Sequence, residues 1–293
     1  MNKYQYAIGY ILCVAFVSVI RAKLLLVLSP ITVLLISSTL ASIYFHLINY
    51  KHGRSLYKKF SNRKLSFVAL NFLVALMWFA TYYSIYFSSA AIFVFEFFMV
   101  GGFLSMVSGQ RLVVSQKIML LLFAGLIFAP FFIYKMQYLG ILLGITAGGC
   151  GFLYNILSDR IASSLSINAS QILASRFWLL ILVSAALLPK DFSAQLSFYT
   201  LLTTIFITVL SFILQIWLNQ KSVLTIGGKE SSYIASFAPA LTFLVQGSVL
   251  GNWVLPILLL SVFGSICIMY DSYVRDNNIQ GARLFSRLTI TQK

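Results

Sequence analysis

Residues 65–108 read LSFVALNFLVALMWFATYYSIYFSSAAIFVFEFFMVGGFLSMVS, two apolar runs joined by the small turn Ser88-Ser89, with one carboxylate, Glu96, and no base. Each run is about 20 residues, the length a helix needs to cross a hydrocarbon core. Runs of this length read as helices, because in lipid every backbone amide must be satisfied within its own segment.

The same pattern recurs in both directions. Spans are expected at 4–20, 30–50, 65–87, 89–108, 118–134, 139–157, 169–188, 198–218, 231–250 and 253–272. The composition agrees: 60% of residues are hydrophobic and 9% charged, a balance that cannot cover a soluble domain. The first run could be a signal peptide, but Arg21 and Lys23 follow it where a small-residue cleavage site would stand, so it reads as a retained helix.

A net charge of +15 raises the question of a nucleic-acid partner, and the distribution answers it. The basic residues cluster between apolar runs, with no basic helix or aromatic-and-basic sheet pattern to read a nucleic acid. Counted on alternate sides of ten spans, sixteen fall on one side, including the cluster between Lys51 and Lys64, and four on the other, Arg21, Lys23, Lys135 and Lys190. That asymmetry predicts both termini in the cytoplasm. The polar, basic segment 274–293 is expected to contact anionic lipid.

A shift of 142 residues lays 88–112 over 230–254, so that Ser105 and Gly109 fall on Gly247 and Gly251, and Gln110 on Asn252. The expected fold is all-α, a polytopic membrane protein with ten transmembrane helices in two inverted five-helix repeats, 1–137 and 138–273. Five helices per half is an odd number, which inverts one half relative to the other. Cys13, Cys150 and Cys267 lie inside apolar runs without metal-ligand spacing and read as small buried hydrophobes.

Nearly the whole chain resembles the drug/metabolite transporter superfamily, in its EamA-like branch of ten-span carriers. The stretch 69–95 is similar to that family's third and fourth helices, 139–188, through GGCGFLYNILSDR, to its sixth and seventh, and 212–244, through ILQIWLNQKSV, to its eighth and ninth. The chain departs where the family often has a proline in the fourth helix and acidic residues just beyond the fourth and ninth. Phe97 stands opposite Pro239, and Gln110 and Asn252 fill the acidic positions. The resemblance implies a carrier in a bacterial inner membrane.

Candidate functional residues follow from what lipid makes expensive. Glu96 is the only carboxylate near the middle of an expected span, a placement that suits exchange with a proton, cation or substrate, or a buried hydrogen bond. Arg176 is the only base within a span. It would either hold a substrate carboxylate or phosphate through its planar fork or snorkel to the headgroups. Trp78, Tyr82 and Tyr83 form either a cavity wall or an interfacial belt. Tyr154, Asn155, Gln215 and Asn219 offer hydrogen bonds to a substrate or between helices, the last two from one helical face. Pro130 and Pro239 interrupt helices five and nine, and Gly247 and Gly251 permit close helix approach. His46 and His52 have no metal-ligating companions.

These features point to a small-molecule carrier, probed first as a proton-coupled exporter, with import or exchange by the same fold as the alternative. A non-transporting sensor or assembly factor is the competing class. No paired carboxylates, zinc motif or serine with a base suggests an enzyme. No cofactor or metal motif is present, and a homodimer is left open.

Overall fold

The computed structural model describes residues 4–61, 63–108, 114–134, 137–190, 192, 196–251, 253 and 255–271. Every regular element among them is helical. In order they are α1 (Gln5–Leu24), α2 (Pro30–Ile48), the short α3 (Gly53–Ser61), α4 (Lys64–Phe87), α5 (Ala90–Val107), α6 (Val114–Ile133) and α7 (Tyr138–Leu165). Then come α8 (Ala169–Ala174), α9 (Trp178–Ala186), α10 (Phe198–Ile226), α11 (Gly228–Ala235), α12 (Ala238–Leu250) and α13 (Leu255–Asp271). Taking α8 with α9, and the end of α11 with α12, nine helices among the described residues are long and apolar enough to cross a membrane, and α13 is a shorter apolar one. This is a helical architecture suited to a polytopic membrane protein.

The helix starts are written in the sequence. Ser29 caps α2, its hydroxyl accepting from the Thr32 amide at 3.2 Å, with Pro30 in the first turn where its missing N–H costs nothing. Ser89 accepts from the Ile92 amide to start α5, and Asn168 with Gln171 forms a capping box at α8. Gly251 closes α12 at φ +68°, a left-handed conformation that favours glycine.

The helices pack around α1 and α7. α7 lies against α4 and α5, α1 against α12, α10 and α5, and α2 against α9, α10 and α4. Leu34, Phe45, Phe95 and Phe212 are completely enclosed, while Leu26, Leu65, Phe132 and Phe198 are more than three-quarters exposed. A rim of exposed large apolar side chains around a packed core is the surface lipid stabilises and water does not.

Three discontinuities interrupt the second half. Helix seven breaks at Ser175, Arg176 and Phe177, between α8 and α9. α10 passes through a π-helical stretch, Val209–Gln215. The ninth breaks at Ser236 and Phe237, where Pro239 has no N–H to continue the ladder from α11. Carbonyls freed at two breaks find side-chain donors: Asn71 Nδ2 donates to Ser175 O at 2.9 Å, and Ser265 Oγ to Ser236 O at 3.0 Å. Such non-helical backbone is tolerated at membrane depth where it is covered by protein or lines a cavity.

Several expectations need correction. α1 runs to Leu24, so Arg21 lies within the helix and not in a loop. α7 extends to Leu165 and α10 to Ile226, well past the expected ends. Pro130 sits inside α6 without interrupting it, and the Tyr134 amide donates to Pro130 O at 2.8 Å. Pro239 stands in the first turn of α12, just after the break in helix nine. Gly247 does allow close approach, but of the Trp253 ring, 2.4 Å from where a Cβ would stand, whereas Gly251 faces open space and acts through its φ. Gly109, Gln110, Asn252 and segment 274–293 lie outside the described residues.

Candidate functional site

A cavity opens within the bundle, lined from α1, α4, α5, α7, α10 and α11 and by Arg176 at the break in helix seven. Its free volume is about 70 Å³. All three helix discontinuities touch it or adjoin it, through Arg176, Gln215 and Ala235.

Two guanidinium groups dominate its chemistry. Arg21 is 1% exposed and Arg176 completely buried, and both line the cavity. The Arg21 guanidinium carbon lies 4.8 Å from the Tyr82 ring centre and 5.4 Å from that of Trp78. Arg176 sits at 4.8 Å over Tyr154 and 5.0 Å over Phe177. These spacings are within cation–π range, so the rings offset part of the cost of burying each charge. A continuous aromatic path joins the two sites, Trp78 stacking on Phe212 at 4.1 Å and Phe212 meeting Phe177 at 6.0 Å.

Hydrogen bonding leaves these groups short of acceptors. Nε and Nη2 of both arginines have no hydrogen-bond partner within the protein, and the Trp78 indole N–H beside Arg21 has none either. Nε and Nη2 form the edge by which arginine takes up an oxyanion two-handed. Among the described residues, no carboxylate lines the cavity. Among the described residues on its wall, Gln215 Oε1 is the one acceptor that lacks a partner.

The Arg176 end is braced by amides. Tyr154 donates its hydroxyl proton to Gln220 Oε1 at 2.6 Å, and Gln220 Nε2 donates to Ser158 Oγ at 3.3 Å. Asn219 Nδ2 donates to Asn155 Oδ1 at 3.2 Å across α10 and α7. Each of these bonds ties α7 to α10, so this polar wall is also the seam between the two helices.

Of the residues singled out from sequence, Trp78, Tyr154, Asn155, Arg176, Gln215 and Asn219 meet at the cavity. Tyr82 stands behind Arg21, supporting its guanidinium. Tyr83 is set apart, half-buried and stacked on Phe87 at 6.0 Å. Glu96 is fully buried on α5 but faces α7, where a Cβ on Gly144 would stand 2.8 Å from the Glu96 Cβ. Its oxygens have no partner, so it does not pair with Arg176. Arg176 does not snorkel, being enclosed on all sides.

Sequence reading missed Arg21, Tyr10, Thr81 and Phe97, all cavity-lining. The signal for Arg21 was available: Leu24 to Leu28 is still apolar, so a helix ending beyond Arg21 would have placed it inside. No protein-family model matches the chain, and no curated relative matches it.

Proposed function

We propose that the chain is a secondary carrier that moves a small molecule across a cell membrane by alternating access about the cavity between Arg21 and Arg176. The observation that carries this reading is the meeting of one cavity, with two arginines on a largely apolar wall, with three helix discontinuities, at Ser175 to Phe177, Val209–Gln215 and Ser236 to Phe237. Carriers bind at such broken helices, because freed backbone and side chains there reach the substrate and the segments either side can rock.

The reading includes ten spans in two inverted repeats, in the manner of EamA-like carriers, with both termini cytoplasmic. What supports the repeat is the packing. Exchanging the halves, so that α1 corresponds to α7, α4 to α10 and α5 to the α11–α12 pair, turns the α5–α7 contact into α12–α1 and the α4–α7 contact into α10–α1. The α2–α9 contact maps onto itself. Glu96, buried on α5 next in sequence to the cavity-lining Phe97, is the group proposed to couple transport to protons.

The test is accumulation of labelled amino acids, nucleosides, organic acids and small dyes in cells expressing wild type or Glu96→Gln, with and without an uncoupler. The chain should lower accumulation of one class, and both uncoupling and the substitution should abolish the effect. Export that survives Glu96→Gln at normal protein level removes Glu96 from coupling. If no compound moves in either direction, the carrier gives way to a sensor built on the same fold.

A further inference from the structure

We propose that the cavity's cargo is an organic anion carrying two acidic groups, carboxylate or phosphate, one held at Arg21 and the other at Arg176. This rests on the carrier reading and names its substrate class. Three observations converge on it.

First, the charge is uncompensated. Two guanidinium groups line one cavity, and among the described residues no Asp or Glu lines it. A buried charge left without a counter-charge is strongly destabilising, and aromatic faces alone offset only a part of that. Two negative charges make the occupied cavity neutral.

Second, the unpartnered atoms are donors of matching geometry. At one end they are Arg21 Nε and Nη2 and the Trp78 indole N–H; at the other, Arg176 Nε and Nη2. Trp78 and Tyr82 are one turn apart on α4, with ring centres 6.0 Å apart, and both rings lie within cation–π range of the Arg21 guanidinium. An anion's oxygens satisfy several such donors at once. A cationic cargo would add a third positive charge and meet no carboxylate.

Third, most of the cavity wall is apolar. Met77, Phe93, Phe97 and Phe98 contribute to it, which suits a hydrocarbon or flat linker between the two acidic groups. Apolar walls lower the local dielectric, and a charge-assisted hydrogen bond is worth more there than in solution.

Binding is measured on the purified full chain in a non-ionic detergent, by the rise in unfolding temperature with added ligand. The probes are succinate, adipate and suberate, to find the separation of the two acidic sites, and phenylphosphonate and 1,4-phenylenediphosphonate, to compare phosphonate with carboxylate. Hexane-1,6-diamine and hexane-1,6-diol are the cationic and neutral controls. At least one doubly anionic probe should stabilise wild type, and neither control should. Arg21→Gln and Arg176→Gln should each weaken that binding at least tenfold. Arg21→Lys, which keeps the charge and loses the planar fork, should also bind more weakly, and it serves if a glutamine variant fails to fold.

Stabilisation by the diamine equal to that by the anions overturns the proposal. So does a wild type that none of the anions stabilises, or folded arginine variants that bind as wild type does. Proteoliposome flux separates this inference from the one beneath it. Binding of a dianion with no flux in either direction refutes the carrier and leaves the anion site, whereas flux of the diamine with no anion binding refutes the anion site and leaves the carrier.

Discussion

Replacing Gly148 by alanine tests the seam that forms one wall of the cavity. A Cβ on Gly148 would stand 2.5 Å from the Phe97 carbonyl oxygen and 3.0 Å from both Phe97 Cα and Val100 Cβ. Two of those three obstacles are backbone, so no side-chain rotation relieves them, and α7 has to retreat from α5 by roughly 1 Å to restore ordinary contact. Overpacking of this kind costs about 1–3 kcal/mol, partly offset by the roughly 1 kcal/mol that alanine gains over glycine within a helix. The next residue is the control. Gly149 has nothing within 4 Å of its Cβ position, so Gly149→Ala keeps the helix gain without the clash. The helix gain is common to both, so the two variants should differ by the overpacking cost, about 1–3 kcal/mol, roughly one to two orders of magnitude in the folding equilibrium. Reversible unfolding in mixed micelles measures both, with Gly148→Ala below wild type and Gly149→Ala at or above it. Because Phe97 and Gly148 both line the cavity, Gly148→Ala should also alter ligand binding. Equal stability of the two variants would refute the α5–α7 geometry on which that wall depends.

Two further outcomes follow from the polar contacts. Asn71→Leu removes the donor that satisfies Ser175 O at the break in helix seven; leaving that buried carbonyl unpaired should destabilise the fold by about 1–2 kcal/mol, seen as a lowered unfolding temperature, and an unchanged one would mean the break does not depend on Asn71. On α3, the Tyr57 hydroxyl accepts from the Trp178 indole at 3.0 Å and lies 2.6 Å from His46 Nε2, and burial raises its pKa above the ordinary 10.0. A raised folded-state pKa stabilises fully below the unfolded value and is lost as pH rises through the folded one, so α3 should stay docked at neutral pH and loosen only above about pH 10. Trp fluorescence titrated in wild type and Tyr57→Phe checks this, because only wild type should show the alkaline transition.

The helices were legible because lipid imposes a single demand on the backbone, and apolar length reports it directly. The stretch 65–108 became α4 and α5 with the turn at Ser88-Ser89 and with Ser89 as the cap. Ends were less legible where the chain runs past its apolar core: Arg160 stands within α7, which continues to Leu165. Part of the site was legible for the same energetic reason, since Arg176 and the amides Asn155, Gln215 and Asn219 are costly in hydrocarbon and so mark a polar interior. Glu96 obeyed the rule as well, fully buried, yet it turned toward α7. Polarity predicts burial, but which interior surface a side chain faces depends on helix rotation, and the apolar faces of α5 leave that rotation undetermined.

Arg21 shows where charge counting stops being informative. A basic residue at the end of an apolar run scores as a loop anchor whether it snorkels outward or folds inward, and the two placements differ only in what the opposite helices present. Here α4 presents Tyr82 and Trp78 to the guanidinium, so the inward placement has aromatic faces to offset desolvation. Arg176 reaches the same cavity by a different route, from backbone that is no longer helical, at a break that no proline causes and that Asn71 holds open. One arginine is thus fixed on the continuous α1 and the other rides on a discontinuity. A ligand joining them would couple a rigid helix to a segment flanked by short helices, α8 and α9, and moving α9 relative to α8 would change the separation of the two positive charges. That separation sets the length of dianion bound most tightly, so the best-binding member of the succinate, adipate and suberate series should shift when Asn71 is replaced and the break is released.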